Sequence, residues 1–181
     1  MDEEKAISDT KRWLEKAVIG LNLCPFAKSV HVRNQIHYHV YLGKDSVEWL
    51  AALRKELVDL QAMDPDARDT SLLIAPNCFG NFLDFNEFLS EAEMVLAELE
   101  LEGQLQIANF HPQFQFSGTQ EDDITNYTNR APYPTLHLIR ESSIDRAVAA
   151  FPDAERIYLK NIETLQKLGL NGWFALGMLA P

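Results

Sequence analysis

Apolar residues mark out the elements before any single residue suggests a chemistry. Trp13, Leu14, Ala17, Val18 and Leu21 fall on one stripe at helical spacing. They predict a helix over 8–21, capped by Ser8 or Asp9. Asn22-Leu23-Cys24-Pro25 ends it, because the residue before a proline avoids the helical region. Ile36, Tyr38, Val40 and Leu42 then alternate with His37, His39 and Tyr41, the period of a strand with one apolar face. Asp45 with Glu48 resembles a capping box ahead of the stripe Val47, Leu50, Leu53, Leu57 and Leu60. Residues 71–75 are a short apolar run, as expected of a strand covered on both faces.

Asp84 with Glu87 gives a second cap signal. It precedes the clearest amphipathic pattern in the chain: Phe85, Phe88, Leu89, Ala92, Leu96 and Leu99. Gly103 stops that helix, and Leu105 to Phe110 read as a third strand. Residues 135–140 form a fourth strand, Ser142 or Ser143 starts a helix through Ala150, and Pro152 opens another that stops at Gly169. Strands alternating with helices predict an α/β fold: one layered domain over 1–181, with a mixed, mostly parallel sheet of about four strands. The alternative is α+β. The parts are an N-terminal helix 8–21, a body 30–169 and an apolar tail 170–181 that docks on the body or on another subunit.

Composition narrows the partners. The chain has 181 residues, 27 acidic against 16 basic, for a net charge of −11. So acidic a surface repels nucleic-acid phosphates and anionic lipid, so neither nucleic acid nor membrane is expected as a partner. The acidic N-terminus is not a secretory signal, and no apolar stretch is long enough to span a bilayer. Cys24 and Cys78 are too few for a disulfide scaffold, which points to reduced thiols and a cytoplasmic location.

The candidate chemistry gathers in residues 111–134. This segment is rich in Pro, Asn, Gln and Asp and lacks a strong period, and long ordered loops of this kind are often functional. His111 stands at a strand end, where it could serve as acid/base. Asp122, Asn126, Asn129 and Arg130 would share one face of a short helix, with Arg130 as the fork for an anionic group. If strands 71–75 and 105–110 are parallel, Cys78 and His111 start loops at one sheet edge; Arg140 joins that edge only if the fourth strand is parallel too. Cys24 lies at a helix C-terminus, which disfavours a thiolate, so as a nucleophile it needs a partner such as His111 or Arg130. His37 and His39 point the same way from a strand and could hold a metal, although such a pair is more often a solvated strand face; no metal ligand is assigned. No nucleotide-loop, zinc-protease or serine-hydrolase motif occurs, and no cofactor is implied.

The strings Asn22-Leu23-Cys24-Pro25-Phe26-Ala27, His111-Pro112-Gln113-Phe114-Gln115-Phe116 and Asn126 through His137 are specific, as is the closing Asn171-Gly172-Trp173. On them the chain resembles a bacterial family, the domain of unknown function DUF1415, over nearly its whole length. The resemblance implies a stand-alone bacterial protein and supplies no activity. The family pattern includes Cys24, His111, Asn129, Arg130, Pro132, Tyr133 and Pro134, and it usually has Ser where this chain has Ala131. Two readings follow. One is an enzyme of unassigned reaction acting on a small anionic molecule, with His111 and Cys24 catalytic and Asn126, Asn129, Arg130, Tyr133 and Arg140 binding substrate. The other is a non-catalytic binding or assembly module, possible as a homo-oligomer, that uses the aromatic loop and the tail.

Overall fold

The computed structural model describes residues 1–150 and 156–178. The first helix, α1 (Glu3–Trp13), starts earlier than the apolar stripe predicts. Asp2 caps it by accepting from the Lys5 N–H at 2.7 Å, and Glu3, Glu4, Lys11 and Arg12 complement the helix dipole. Asp9 is therefore no cap. It is buried inside the helix, where Lys5, Arg12 and the Tyr133 hydroxyl converge on its carboxylate at 2.8, 3.4 and 2.7 Å. From Leu14 to Ile19 the chain widens into a π-helix, in which the N–H of Gly20 bonds to the carbonyl of Glu15. A Cβ on Gly20 would lie 2.3 Å from the Lys16 carbonyl oxygen, so only glycine fits this turn.

A short helix α2 (Ala27–Val32) leads into β1 (Ile36–Val40), which ends before Leu42. Asp45 caps α3 (Ser46–Ala62), as its pattern predicts, by accepting from Val47 and Glu48 N–H. Glu48 does not close the box: it accepts from the Tyr41 hydroxyl, which in turn accepts from the Asp45 N–H. β2 (Thr70–Ile74) is buried along its whole length. The cap of α4 (Phe82–Glu98) is Asn81, three residues before the predicted Asp84. β3 (Leu105–Phe110) precedes the long loop, which holds one 3-10 turn, Ile124–Thr128, and β4 (Thr135–Arg140) follows it. α5 (Glu141–Ala150) begins directly at the end of β4. The expected helix start at Pro152 lies outside the described residues. α6 (Ile157–Ala175) breaks at Gly169 (φ 65°, ψ 172°), so the predicted stop is a kink.

The sheet order is β1-β2-β4-β3. β1 runs parallel to β2, while β4 is antiparallel to both of its neighbours. The fold is thus α/β with a mixed sheet in which β1, β2 and β3 share one direction. Their carboxyl ends, and the start of β4, meet at one edge. Arg140 ends β4 at the other.

Each sheet face has its own helix layer. Leu73, Leu136, Leu138 and Leu105 pack under α3 and α4, where Trp49 stacks on Phe88 at 4.9 Å. The opposite face presents Ile36, Tyr38, Leu72, Ile74 and Phe110 to α1, the π-helix and α6. Trp173 docks the tail on the body: it is buried and meets Tyr127 edge-on at 4.9 Å. Among the described residues no helix is long and apolar enough to cross a membrane.

Asp9 makes the join between α1 and the long loop sensitive to pH. Burial alone would raise its pKa, but the Lys5 and Tyr133 hydrogen bonds and the Lys5 and Arg12 charges outweigh that and hold it below the ordinary carboxylate value. A lowered folded pKa gives stability that is present above the unfolded value and lost as pH falls through the folded one. Tyr133→Phe should therefore cost about 1–3 kcal/mol at pH 7. That difference should shrink at a pH well below the ordinary carboxylate value of about 3.9, where Asp9 has taken up its proton. Urea denaturation of both proteins at the two pH values measures it; an equal loss at both would remove the charged hydrogen bond from the account.

Candidate functional site

The long loop is built from its own polar side chains. Asn126 is fully buried; its oxygen accepts from the Phe116 N–H and the Thr119 hydroxyl, and its amide donates to Gln120 O at 2.8 Å. Arg130 is buried, stacks over the Tyr127 ring at 4.4 Å, and donates to Phe114 O at 3.1 Å and Glu121 O at 2.6 Å. Asn129 donates to Asn109 O. Tyr133 points to Asp9. Asp123 caps the 3-10 turn, while Asp122 is exposed.

His111 is buried with both ring nitrogens engaged. Nδ1 accepts from the Gln113 N–H at 3.0 Å, so Nε2 carries the proton and donates to Phe79 O at 2.8 Å. Phe79 sits at φ 53°, an unusual backbone for a bulky residue, and the histidine bond helps to hold it there. The ring packs against Phe82 and Phe85, and burial, with a smaller push from the Arg130 charge, lowers its pKa. It is a neutral brace between two loops in this geometry.

Antiparallel β4 takes Arg140 away from this edge. Its guanidinium donates to the carbonyls of Leu60, Met63 and Arg68, closing the C-terminus of α3. Cys78 is buried in the core under α3 and α4. Cys24 lies on the other face of the sheet. His111 and Arg130 thus share one loop, and neither Cys24 nor Arg140 joins them.

Cys24 instead lines a cavity of about 200 Å³ between the sheet and its helices. Trp13, Leu14 and Val18 come from α1 and the π-helix; Phe26, Ala27 and Val30 from the following turn and α2. Leu72, Phe110, His137 and Ile139 form the sheet wall, and Ile144 and Ala147 of α5 close one side. The π-helix widens the backbone where Leu14 and Val18 face this space, a local irregularity frequent at functional sites.

Thr70 and His137 bring polar atoms into the sheet wall of this pocket. The Thr70 hydroxyl donates to Leu138 O at 2.6 Å, so its oxygen is left to accept from His137 Nε2 at 2.7 Å. That fixes the tautomer: Nδ1 bears a lone pair, and it makes no hydrogen bond among the described residues. Burial pushes the His137 pKa down to about 4, so the ring is neutral near pH 7. Burial also raises the Cys24 pKa, with the Phe26 and Ala27 N–H groups opposing, so the thiol stays protonated. At one mouth Asp69 accepts from Ser143 at 2.6 Å and tethers α5.

A family model described as a protein of unknown function (DUF1415) matches residues 5–175. The chain belongs to that family. Comparison with curated proteins and with solved structures returns no match. DUF1415 membership carries no activity with it, so the chemistry rests on the pocket.

The sequence pattern alone misses His137 and Thr70. A signal was present: His137 interrupts the apolar run of β4 between Leu136 and Leu138, a place where a polar ring needs a partner or a purpose. The π-helix has no comparable signature.

Because His137 titrates near 4 when folded and near 6.5 when unfolded, the unfolded chain takes up its proton first. Stability should thus fall as pH drops from about 6.5 toward 4, by up to about 1.4 kcal/mol per pH unit for this one proton. In His137→Phe the slope over that window should be shallower by about one proton. Chemical denaturation across the window measures it, and identical slopes would refute the buried neutral state.

Proposed function

We propose that this DUF1415 protein binds a small, mostly apolar molecule in the pocket between α1, the π-helix, α5 and the sheet. The observation that carries the reading is the pairing of apolar walls with the unengaged Nδ1 acceptor of a neutral His137. Sites for small ligands are typically concave and apolar, with few polar groups to set orientation. An apolar cavity of about 150 Å³ accommodates benzene, so this volume suits one ring with a short substituent. A hydroxyl on that ring would donate to Nδ1. A carboxylate or phosphate would have to shed its hydration beside Trp13, Phe110 and Leu72 with no cation to receive it. The reading places the protein in the cytoplasm, where two thiols stay reduced.

The enzyme reading on the 111–134 loop asks more of the geometry. His111 would have to leave Phe79 and Gln113 before moving a proton, and Arg130 would have to release two carbonyls before taking an anion. That is a binding role by rearrangement, where the pocket needs none.

An NMR titration with phenol, toluene, benzoate and inorganic phosphate separates the two. Phenol is expected to shift the Trp13 indole signal with a Kd on the order of 1 mM or tighter. Toluene, lacking the donor, should bind several-fold more weakly, and benzoate about tenfold or more. Ala147→Phe should abolish the phenol effect. Shifts confined to Arg130 and His111 with benzoate or phosphate would instead support the loop, and no Trp13 shift with phenol would sink the pocket reading.

A further inference from the structure

His37 and His39 stand on the sheet face opposite the pocket, and α3 brings a third group to them. We propose that His37, His39 and Glu56 form a binding site for a divalent first-row transition ion. Residues two apart on a strand project to one face, and β1 is an edge strand, so both rings reach the rim of the layer under α3. Glu56 lies one layer above, on the buried side of its helix, with its carboxylate directed at the pair. His39 Nδ1 is 3.0 Å from Glu56 Oε1, and His37 Nε2 is 3.8 Å from Oε2. One donor atom from each of the three residues lies within 4.8 Å of the others.

Those separations bracket the spacing a metal needs. Donors about 2.0–2.1 Å from a tetrahedral zinc are about 3.3 Å from one another. Small side-chain rotations of His37, which is partly exposed, would complete the shell. Two imidazoles and one carboxylate favour zinc, cobalt, nickel or iron over calcium and magnesium, which take oxygen donors. Three protein ligands at a solvent-facing edge leave a position for water.

Arg68 decides the orientation of the carboxylate. Its Nη2 pairs with Glu56 Oε2, and the same guanidinium donates to Ser71 Oγ at 2.9 and 2.7 Å. Oε2 is thereby held by Arg68, and Oε1 is turned to His39. A partner of this kind, behind the ligand, orients it and leaves the open oxygen for the ion. Its positive charge opposes the metal, so affinity is moderate.

The test is a Zn²⁺ titration of the full chain by calorimetry, with imidazole NMR as a second readout. One equivalent should bind with a Kd tighter than about 100 μM, shifting the signals of His37 and His39 and leaving those of His111 and His137 in place. His37→Ala and His39→Ala should each weaken binding tenfold or more, and the double variant should abolish it. His31→Ala should bind as the unaltered chain does. Both site histidines lie at the rim, and their loss leaves the buried Glu56–Arg68 ion pair in place, so circular dichroism should show each variant folded. Absence of a one-to-one complex overturns the proposal, as does a double variant that binds within twofold of the unaltered chain. Phenol binding at the pocket is independent of either result.

Discussion

The antiparallel pairing of β4 against β2 is the constraint from which the other arrangements follow. β2 is buried on both faces, so its neighbours must satisfy its backbone and cover its side chains at once. With β4 inserted between β2 and β3, Leu73 faces Leu136 under α3 and α4, and Leu72 faces His137 under α1 and the π-helix. The same register sets Thr70 against Ile139 and brings its hydroxyl to His137. It also carries Arg140 to the far edge, where its charge meets the carbonyls that end α3. The loop joining β3 to β4 must leave and return at one edge, and it folds back on α6 between the two.

That loop shows how polar and reactive residue types can gather for a structural reason. A long segment packed on the body buries backbone groups that no sheet or helix satisfies. Asn126, Arg130 and His111 supply the missing partners. Each is fixed by two or more bonds to main chain, and a neutral His111 braces Phe79 more effectively than a charged one would in so apolar a setting. The opposite economy holds in the pocket: few polar groups, in walls made mostly by apolar core residues. The histidine and glutamate cluster at β1 is a third environment, charged and close to solvent.

Much of the architecture was legible along the chain. The alternation in 36–40, the apolar run before Pro76 and the stripes in 46–62 and 85–99 mark β1, β2, α3 and α4, because burial imposes its period wherever one face meets a core. Helix starts were less legible. Asp2 and Asn81 do the capping that Ser8 or Asp9 and Asp84 seemed suited to, since a cap is chosen by where the chain turns and not by composition alone. The proposed pocket was legible only in part: Cys24 borders it, while His111, Asn126, Asn129, Arg130, Tyr133 and Arg140 lie outside its walls.

Periodicity and turn residues were enough to establish an α/β chain with four strands and a long polar loop, because these depend on neighbours a few positions apart. The direction of β4, the partners of each buried polar group and the convergence of Trp13, Cys24, Thr70 and His137 depend on contacts between residues far apart in the chain. A histidine on a strand reads alike whether it braces a loop, faces a cavity or meets a carboxylate on the next layer. Only packing tells His111, His137 and His39 apart, because the environment, and not the residue type, sets which nitrogen carries the proton and what it can bind.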